Sequence, residues 1–449
     1  MGKSGCSVAL ALKRGGAFPI CWDDKLQGRE RASELGLTLK NLETIESWQD
    51  ISMLILSPGI PYRYPFISQI VERAINEKVP IDNDVGLFFQ NEFGEQKNKK
   101  SAPTRTIAIT GSNGKSTTSS LVYHILKNSF GIVQLGGNIG IPVFDLEPGH
   151  LVDATVMELS SYQLEVAKLL NVDIAVFLNF SPDHLDRHNG IEGYFEAKKR
   201  LFGTSKKQVS IIGVDEIEGK RLFDELKTSG LGQLIKISSK SILKDDDWAI
   251  SVVSGILYEY RNRELVSKIR VDCFDGLPGS HNHQNICAAF AVCRNLGVST
   301  EKIIDNLINF KALPHRTQAI ASINGILFVN DSKATNAVSA SKALNSFSNI
   351  HWIVGGQAKL GGIKSMVSNM KTVKHAYLIG ECAKDFSKQL RHIPYTLSID
   401  LEKAVKDAFT NARPDDVILL SPAAASFDNY RNFEERGMHF VKLVNELQK

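Results

Sequence analysis

The sequence lacks several features that would assign it to particular classes of protein. No apolar run approaches the roughly 18 residues of a membrane span, and Val8 to Leu12 is too short for the core of a signal peptide. The six cysteines are far apart with no C-x-x-C pair, which fits reduced thiols rather than a disulfide or zinc framework. The net charge of +4 is too small for a general nucleic-acid surface. We therefore expect a cytoplasmic protein without membrane or nucleic-acid partners.

A strand that runs directly into a glycine-rich turn is the strongest local signal in the chain. From Thr106 to Thr117 the sequence is T-I-A-I-T-G-S-N-G-K-S-T. Two glycines let successive backbone N–H groups face one anion, a lysine adds a positive charge, and the helix that follows adds the positive end of its dipole. We predict that this turn binds the phosphates of a nucleotide through Gly111, Ser112, Asn113, Gly114, Lys115, Ser116 and Thr117.

The turn differs from the full pattern G-x-x-x-x-G-K-[ST] at one position. Ile109 stands where the first glycine should be, five residues before Gly114. A structural glycine turn with a chance Lys-Ser pair is the alternative, but strand, glycines, lysine, hydroxyl and amphipathic helix all coincide. A GTPase switch is disfavoured because the chain has no N-K-x-D and no D-x-x-G motif.

Strand-like and helix-like segments alternate along the chain, which predicts parallel sheets with ligands outside the carboxyl ends of the strands. A polar, lysine-rich segment from Glu92 to Pro103 indicates a linker, and the alternation begins again after Leu313-Pro314. At about 150 residues per domain, 449 residues predict three domains, at 1–92, 93–312 and 313–449. The predicted fold class is α/β, with a Rossmann-like N-terminal domain, a P-loop ATPase-like central domain and a Rossmann-like C-terminal domain.

Acidic and histidine side chains follow two predicted strands of the central domain. Glu158 follows the strand at 154–157, and the strand at 173–178 is followed by Asp183, His184, Asp186 and His188. At one sheet edge with the turn, Glu158 and His184 could complete a Mg²⁺ site begun by Ser116. The alternatives are that Glu158 caps the helix that starts at Ser160 and that His184 is an ordinary polar loop residue.

Polar residues elsewhere are harder to interpret. Lys198 lies beside Lys199 and Arg200 in a helical stretch, and from sequence alone the three indicate a solvated basic face. Loops that follow apolar strands of the third domain are expected to serve function more often than packing. These loops are Asn330 to Asn336, Gly355 to Lys359 and Ser421 to Ser426.

The chain start carries a weaker signal. Gly2, Gly5 and Ser7 could form a phosphate-facing loop, with Asp23 at the end of the next strand, although such a G-x-x-G is more often a flexible terminus. Only Met1 precedes Gly2, so the strand that should lead into such a loop is missing.

Eight motifs occur together across all three predicted domains. They are G-S-N-G-K-S-T, E-L-S-S-Y-Q-L-E, D-H-L-D-R-H, Y-F-E-A-K, H-N-H-Q-N, P-H-R, N-D-S-K-A-T-N and S-F-D-N-Y-R-N-F-E-E-R-G. This set resembles the Mur ligases, the ATP-dependent amide-forming enzymes of peptidoglycan precursor synthesis. Among them, the last three motifs resemble the branch that adds D-glutamate. Folylpolyglutamate synthases share the shorter phosphate loop, but the stretch from Ser426 to Gly437 is not expected in them.

The resemblance implies roles in binding ATP and Mg²⁺ and in catalysis. The turn and Lys115 would hold the ATP phosphates, with Ser116, Glu158 and His184 on Mg²⁺. Lys198 matches a family lysine that CO₂ carbamylates, and the anionic carbamate could bind a second Mg²⁺. Lys115, His184 and Lys198 would be the catalytic residues. The nucleotide pocket, between the second and third domains, would be lined by Asn282, Asn285, Arg316, Asp331 and Lys333.

The implied substrates are UDP-N-acetylmuramoyl-L-alanine and D-glutamate. Residues matched to the first are Ser4, Gly5, Asp23 and Asn138, with Ser160 as a further substrate contact, and those matched to D-glutamate are Thr335, Lys359, Ser426 and Phe427. ATP would phosphorylate the L-alanine carboxylate, and the D-glutamate amine would attack the acyl phosphate while His184 or a nearby carboxylate removes its proton. We expect a monomer whose third domain closes on the reactants. The alternatives are another Mur ligase or a folylpolyglutamate synthase-like ligase.

Overall fold

The computed structural model describes residues 1–93, 104–272, 274, 276–277, 279–311, 313–359, 361–390 and 392–448. The chain divides into two compact units, one made of Met1–Asp272 and Asn282–Asn309 and the other of Cys273–His281 and Phe310–Lys449. From position 94 onward, the predicted linker lies outside the described residues. The α/β class is confirmed, whereas the division into three domains stays a prediction.

Short strands and helices alternate in the first 93 residues, as predicted. The strands are β1 (Ile20–Cys21), β2 (Thr38–Leu39), β3 (Leu54–Leu56) and β4 (Ile81–Asn83), and the helices are α1 (Lys3–Arg14), α2 (Leu26–Glu34), α3 (Gln69–Asn76) and α4 (Asp84–Phe93). β1 pairs with β2 and β3 with β4, both in parallel.

The glycine loop predicted at the chain start is wrong, because this segment is helical. Gly5 and Ser7 lie inside α1, and Gly2 is the residue that precedes its first turn. The helix buries Val8 and Ala9, and this apolar burial offsets the cost of about 1 kcal/mol that a glycine adds to a helix.

A nine-stranded sheet forms the centre of the first unit. Its strands are β5 (Arg105–Thr110), β6 (Val133–Gly137), β7 (Ala154–Glu158), β8 (Ile174–Phe177), β9 (Val209–Gly213), β10 (Gln233–Ser238), β11 (Trp248–Val253), β12 (Ile256–Arg261) and β13 (Glu264–Arg270). The helices are α5 (Lys115–Ser129), α6 (Ser161–Val166), α7 (Ile191–Lys199), α8 (Ile217–Ser229), α9 (His283–Asn295) and α10 (Thr300–Ile308). The strand order is β13-β12-β11-β10-β9-β8-β5-β7-β6.

Two kinds of strand pairing divide this sheet. From β6 to β11 all neighbours run parallel, whereas β12 and β13 add antiparallel pairs. Ile107, Ala108 and Ile109 of β5 are fully buried, because parallel strands covered by helices on both faces favour continuous apolar runs. The carboxyl ends of β5, β7 and β8 therefore meet at one edge of a rigid sheet.

The second unit contains a six-stranded sheet. Its strands are β14 (Gln318–Ile323), β15 (Ile326–Asn330), β16 (Ile350–Gly355), β17 (Val373–Ile379), β18 (Tyr395–Leu397) and β19 (Val417–Leu420). Its helices are α11 (Ala337–Leu344), α12 (Ala383–Ser387), α13 (Leu401–Asn411) and α14 (Phe433–Glu446). The strand order is β14-β15-β19-β16-β17-β18, and only β14 is antiparallel to its neighbour.

Short 3₁₀ helices complete the secondary structure of the chain. They are Val143–Asp145, Gly149–Leu151, Ser280–Asn282 and Lys364–Thr372. Within the residues described, no helix is both long enough and apolar enough to cross a membrane. The cysteines at 6, 21, 287, 293 and 382 are free and buried.

Candidate active site

The turn between β5 and α5 has the conformation that its two glycines predict. Gly111 has a φ of +148° and Gly114 a φ of +82°, both in the region that favours glycine. A Cβ added to Gly114 would lie 2.2 Å from Asn285 Oδ1, so a larger residue would collide there. Because α5 begins at Lys115, its N-terminal N–H groups and the positive end of its dipole face the turn.

Two residues that the sequence analysis missed, Asn179 and Ser181, hold this turn in place. Asn179 Oδ1 accepts a hydrogen bond from Asn113 N at 2.9 Å, and its Nδ2 donates to Asn113 O at 3.1 Å. Ser112 Oγ donates to Ser181 O and accepts from Ser181 N, each at 2.9 Å. Polar residues directly after the apolar β8 were the available signal. The turn is thus fixed to the carboxyl end of the neighbouring strand.

Two predicted catalytic lysines meet at one backbone carbonyl of the turn. Lys115 Nζ donates to Gly111 O at 2.9 Å and to Ser112 O at 3.0 Å. Lys198 Nζ, which comes from α7, donates to the same Gly111 O at 2.9 Å. The structure therefore places Lys198 beside the phosphate turn.

The solvated face that sequence alone indicated for Lys198 is wrong, since this side chain is only 1% exposed. Burial and, secondarily, the charge of Lys115 hold the pKa of Lys198 well below its usual value, although Asp183 and Glu158 oppose the shift. Its Nζ also lies 4.4 Å from the centre of the Tyr194 ring. A lowered pKa increases the neutral, nucleophilic fraction of the amine.

Glu158, the last residue of β7, is buried beside the turn. Its Oε1 accepts from Asn138 Nδ2 at 2.7 Å, and Asn138 N donates to Glu158 O at 2.8 Å. The alternative that Glu158 caps the following helix is wrong. Ser160 is the cap of α6, and it forms a reciprocal capping box with Gln163.

His184 lies on the loop after β8, with a φ of +53°. Its Nδ1 is 2.8 Å from the hydroxyl of Tyr162, and its Nε2 is 3.6 Å from Asp183 Oδ2. His188 instead contacts Ser161 Oγ at 2.9 Å, and burial lowers its pKa to about 4. His188 is therefore a neutral, packed side chain. Of the two histidines in this loop, His184 is the better candidate for a metal-binding or catalytic role.

A magnesium ion that is bound together with a nucleotide needs only part of its ligand shell from the protein. In the part of the chain that the structure describes, no group of three or more His, Cys, Asp and Glu side chains forms a metal cage. Mg²⁺ commonly takes one or two carboxylates together with phosphate and water oxygens. The hydroxyl of Ser116, the carboxylate of Glu158 and the imidazole of His184 are compatible with that partial set.

Two predicted nucleotide residues are connected to helix α5. Thr118 Oγ1 donates to Asn285 Oδ1 at 3.1 Å, and Asn285 Nδ2 donates to Asn282 Oδ1 at 2.9 Å. Both asparagines are buried, Asn285 on α9 and Asn282 directly before it. The structure thus brings Asn285 next to Gly114.

The other predicted nucleotide residues, Arg316, Asp331 and Lys333, belong to the second unit. Asp331 is buried after β15, where Ser421 Oγ donates to its Oδ2 at 2.8 Å and Thr317 N donates to its Oδ1 at 3.1 Å. Burial raises the pKa of Asp331 to about 7, against the smaller opposing effect of these hydrogen bonds and of Arg316. Lys333 Nζ lies 3.8 Å from the centre of the Phe433 ring.

A buried arginine that the sequence analysis missed joins two loops of the second unit. Arg436 of α14 donates through Nε to Ser332 Oγ at 3.0 Å and through Nη2 to Ser332 O at 2.9 Å. It also donates to Ala424 O at 3.2 Å and to Ala425 O at 3.3 Å. One guanidinium therefore binds the loops that follow β15 and β19.

The residues matched to D-glutamate all lie on loops that follow strands of this second sheet. Thr335 N donates to Lys333 O at 2.8 Å, Ser426 is buried, and Phe427 is 69% exposed. Lys359 is half-buried after β16. Thr335, Lys359 and Ser426 lie in the three loops singled out in the sequence, Phe427 directly follows the third loop, and the ligand roles stay predictions.

The residues matched to the UDP group lie at the chain start. Ser4 and Gly5 form part of the first turn of α1, not a loop. Asp23 follows β1, as predicted, and its carboxylate is ion-paired with the amino group of Met1 and accepts a hydrogen bond from Lys25 N at 2.9 Å. Their roles in binding also stay predictions.

Asp331→Asn is expected to remove a pH dependence of stability. The folded-state pKa of about 7 exceeds the unfolded value of about 3.9, so the folded chain binds more protons between these pH values and its stability falls as pH rises through them. Between pH 5 and pH 8 the wild type should lose about 2–3 kcal/mol that the variant keeps. Urea unfolding followed by circular dichroism across this range measures the difference.

Asp385→Asn is the matched control for this experiment. Asp385 lies in the same unit, but its side chain is 75% exposed and pairs with the exposed Lys388 at 3.1 Å. Its replacement should leave the wild-type slope unchanged. An Asp331→Asn slope equal to that of the wild type would contradict the raised pKa.

A parallel sheet with a glycine phosphate turn at the carboxyl end of a central strand defines a nucleotide-binding α/β protein. The Mur ligase middle domain family matches residues 109–293, and the Mur ligase, glutamate ligase domain family matches residues 315–424. The chain belongs to the Mur ligase family.

Relatives with curated names match over nearly their whole length. A UDP-N-acetylmuramoylalanine--D-glutamate ligase from Cereibacter sphaeroides is 44% identical over 448 residues, which cover 100% of this chain and 96% of the relative. A protein of the same name from Ruegeria pomeroyi is 45% identical over 447 residues, 99% of this chain and 96% of the relative.

Solved structures share the fold at low sequence identity. The UDP-N-acetylmuramate-alanine ligase MurC from Thermotoga maritima superposes with a TM-score of 0.60 at 17% identity, covering 100% of this chain and 98% of that one. E. coli FolC in complex with ADP gives a TM-score of 0.59 at 16% identity, covering 81% and 93%. These two structures support the fold assignment alone.

Proposed function

We propose that this protein is an ATP-dependent ligase that joins D-glutamate to UDP-N-acetylmuramoyl-L-alanine during cytoplasmic synthesis of peptidoglycan precursors, acting as a monomer. The observation that carries this proposal is the convergence of Lys115 and Lys198 on Gly111 O, at a phosphate turn beside the Glu158–Asn138 pair. Full-length relatives at 44–45% identity carry the name of that ligase, which supports the choice of substrates.

ATP phosphates bind at the turn between β5 and α5. Backbone N–H groups of the turn and the N-terminus of α5 contact the phosphate oxygens, and Lys115 offsets the charge that would otherwise repel the substrate carboxylate. The remaining nucleotide contacts come from Asn282, Asn285, Arg316, Asp331 and Lys333.

Ser116, Glu158 and His184 would hold a Mg²⁺ ion. The ion would supply positive charge that stabilises phosphoryl transfer. Lys198 supplies a further anionic group in this proposal. Its neutral amine adds to CO₂, the new N–C bond forms, one proton is released, and the resulting carbamate can bind a second Mg²⁺.

The amide forms in two steps. An oxygen of the L-alanine carboxylate attacks the γ-phosphorus of ATP, ADP leaves, and an acyl phosphate results. The D-glutamate amine then attacks the acyl carbon, inorganic phosphate leaves, and a nearby carboxylate takes the amine proton, because the lone pair of His184 is on Mg²⁺ in this proposal. The UDP-sugar substrate contacts Asn138, Ser160, Ser4, Gly5 and Asp23. D-Glutamate contacts Thr335, Lys359, Ser426 and Phe427, with Lys359 on a carboxylate.

Purified protein should release phosphate from ATP only when UDP-N-acetylmuramoyl-L-alanine and D-glutamate are both present. A coupled phosphate assay and mass spectrometry of the product measure this dependence. L-Glutamate replaces D-glutamate in one control, and a folate replaces the UDP-sugar in another. Equal turnover with L-lysine or meso-diaminopimelate would contradict the assignment of D-glutamate.

A further inference from the structure

Tyr162 makes a contact with His184 for which the steps above have no role. Its hydroxyl lies 2.8 Å from His184 Nδ1, and the two ring centres are 4.9 Å apart at an angle of 56°. His184 itself has a positive φ, a backbone conformation that few non-glycine residues adopt and that fixes the direction in which its side chain leaves the loop.

The position of Tyr162 is fixed by its backbone and by a contact to its ring. It is the second residue of α6, whose start is fixed by the capping box at Ser160. On the other side, the guanidinium of Arg187 lies 5.2 Å from the centre of its ring, and Arg187 pairs with Glu165 at 3.1 Å and donates to Ile60 O at 2.9 Å. Tyr162 can therefore fix the orientation of the His184 imidazole.

The contact determines which ring nitrogen of His184 suits a metal. Nδ1 faces Tyr162, so Nε2 is the nitrogen for a metal ion, and binding requires its lone pair. A neutral imidazole then carries its proton on Nδ1, where the hydroxyl oxygen of Tyr162 is within hydrogen-bond distance. Asp183 Oδ2, at 3.6 Å from Nε2, is beyond hydrogen-bond range, so Tyr162 makes the closer contact.

We propose that Tyr162 is a positioning residue whose hydroxyl oxygen accepts the Nδ1 proton of His184 and so presents Nε2 to Mg²⁺. Partners of this kind, one shell outside the metal, orient a ligating histidine and fix its tautomer. The inference rests on the proposed function for the metal role of His184, whereas the tautomer itself can be measured without metal or substrate.

Nitrogen-15 NMR of histidine-labelled protein tests the tautomer directly, with His184→Gln used to assign the signals. In metal-free wild type at pH 8, His184 should carry its proton on Nδ1. Tyr162→Phe keeps the ring and its packing but removes the acceptor, so the proton should move towards Nε2. A wild-type His184 protonated on Nε2, or a tautomer that is the same in both proteins, would overturn the proposal.

Magnesium dependence gives the second readout. The Mg²⁺ concentration for half-maximal activity of Tyr162→Phe should rise about tenfold, while KM for D-glutamate stays unchanged. Tyr377→Phe is the matched control, because Tyr377 makes the same kind of contact with His351 Nδ1, at 3.1 Å, in the core of the second unit. It should leave the Mg²⁺ requirement unaltered, and an equal rise in both variants would overturn the proposal.

His184→Gln separates the inference from the function on which it rests. An unchanged Mg²⁺ requirement in His184→Gln would overturn the metal role of His184, even if the NMR experiment confirmed the tautomer. A raised requirement in His184→Gln together with an unchanged one in Tyr162→Phe would overturn the positioning role of Tyr162 alone.

Discussion

Lys115→Met is expected to lower kcat about a thousandfold, because it removes a side-chain charge that lies at the phosphate turn. In the structure this amine donates to two carbonyl oxygens of the turn, and the proposed function places the ATP phosphates at that turn. The methionine keeps the length and apolar contacts of the side chain. Initial rates of phosphate release measure kcat, and calorimetric titration with ATP separates binding from chemistry.

Lys127→Met is the control for this variant. Lys127 lies in the last turn of the same helix, exposed, with its amine 5.6 Å from the centre of the Tyr123 ring. Its rates should stay within about twofold of the wild type, since surface charges far from the chemistry contribute little. A Lys115→Met protein that keeps more than a tenth of wild-type kcat would contradict the proposed role of the turn.

Lys198→Met is expected to lower kcat at least about a hundredfold while the fold is retained. The wild-type side chain is desolvated and its pKa is lowered, so an apolar residue of similar length suits the cavity and removes only the amine. Activity of the wild type should fall in CO₂-free buffer and return with bicarbonate, because carbamate formation is reversible. Carbon-13 NMR after addition of labelled bicarbonate detects the carbamate carbon.

Lys199→Met is the matched control, one residue further along α7. Its amine pairs with Glu225 at 2.7 Å near the surface, and its replacement should change neither kcat nor the response to bicarbonate. Full activity in Lys198→Met would show that the amine is not needed for catalysis, and a wild type that is indifferent to CO₂ would contradict the carbamate. Since Lys115 also lowers the pKa of Lys198, the two lysine substitutions should not be additive.

Strands and helices with strong periodic patterns could be predicted from sequence. The strand predicted at 173–178 differs from β8 by one residue at each end, and the helix predicted to follow the phosphate turn is α5, which begins at Lys115. Helix α1 could not be predicted in this way. Gly5 within it and Gly2 directly before it favour a loop locally, whereas burial of Val8 and Ala9 favours the helix.

The phosphate turn could be predicted because its residues are contiguous in sequence. Tyr162 and Arg436 could not, because each contacts residues that are distant from it in the sequence. Arg436, for example, reaches Ser332 across 104 positions. Lys198 also shows that local sequence does not reveal burial. Its neighbour Lys199 is a surface residue, and nothing in the local pattern separates the buried amine from the solvated one.

The guanidinium of Arg436 has a consequence for motion within the second unit. Because it donates to the loops after β15 and after β19 at once, neither loop can shift without stretching hydrogen bonds to the other. Displacement of Asp331 and Lys333 in one loop is thereby coupled mechanically to Ser426 in the other. The two loops and the start of α14 should move as a single rigid element when a ligand contacts any part of it.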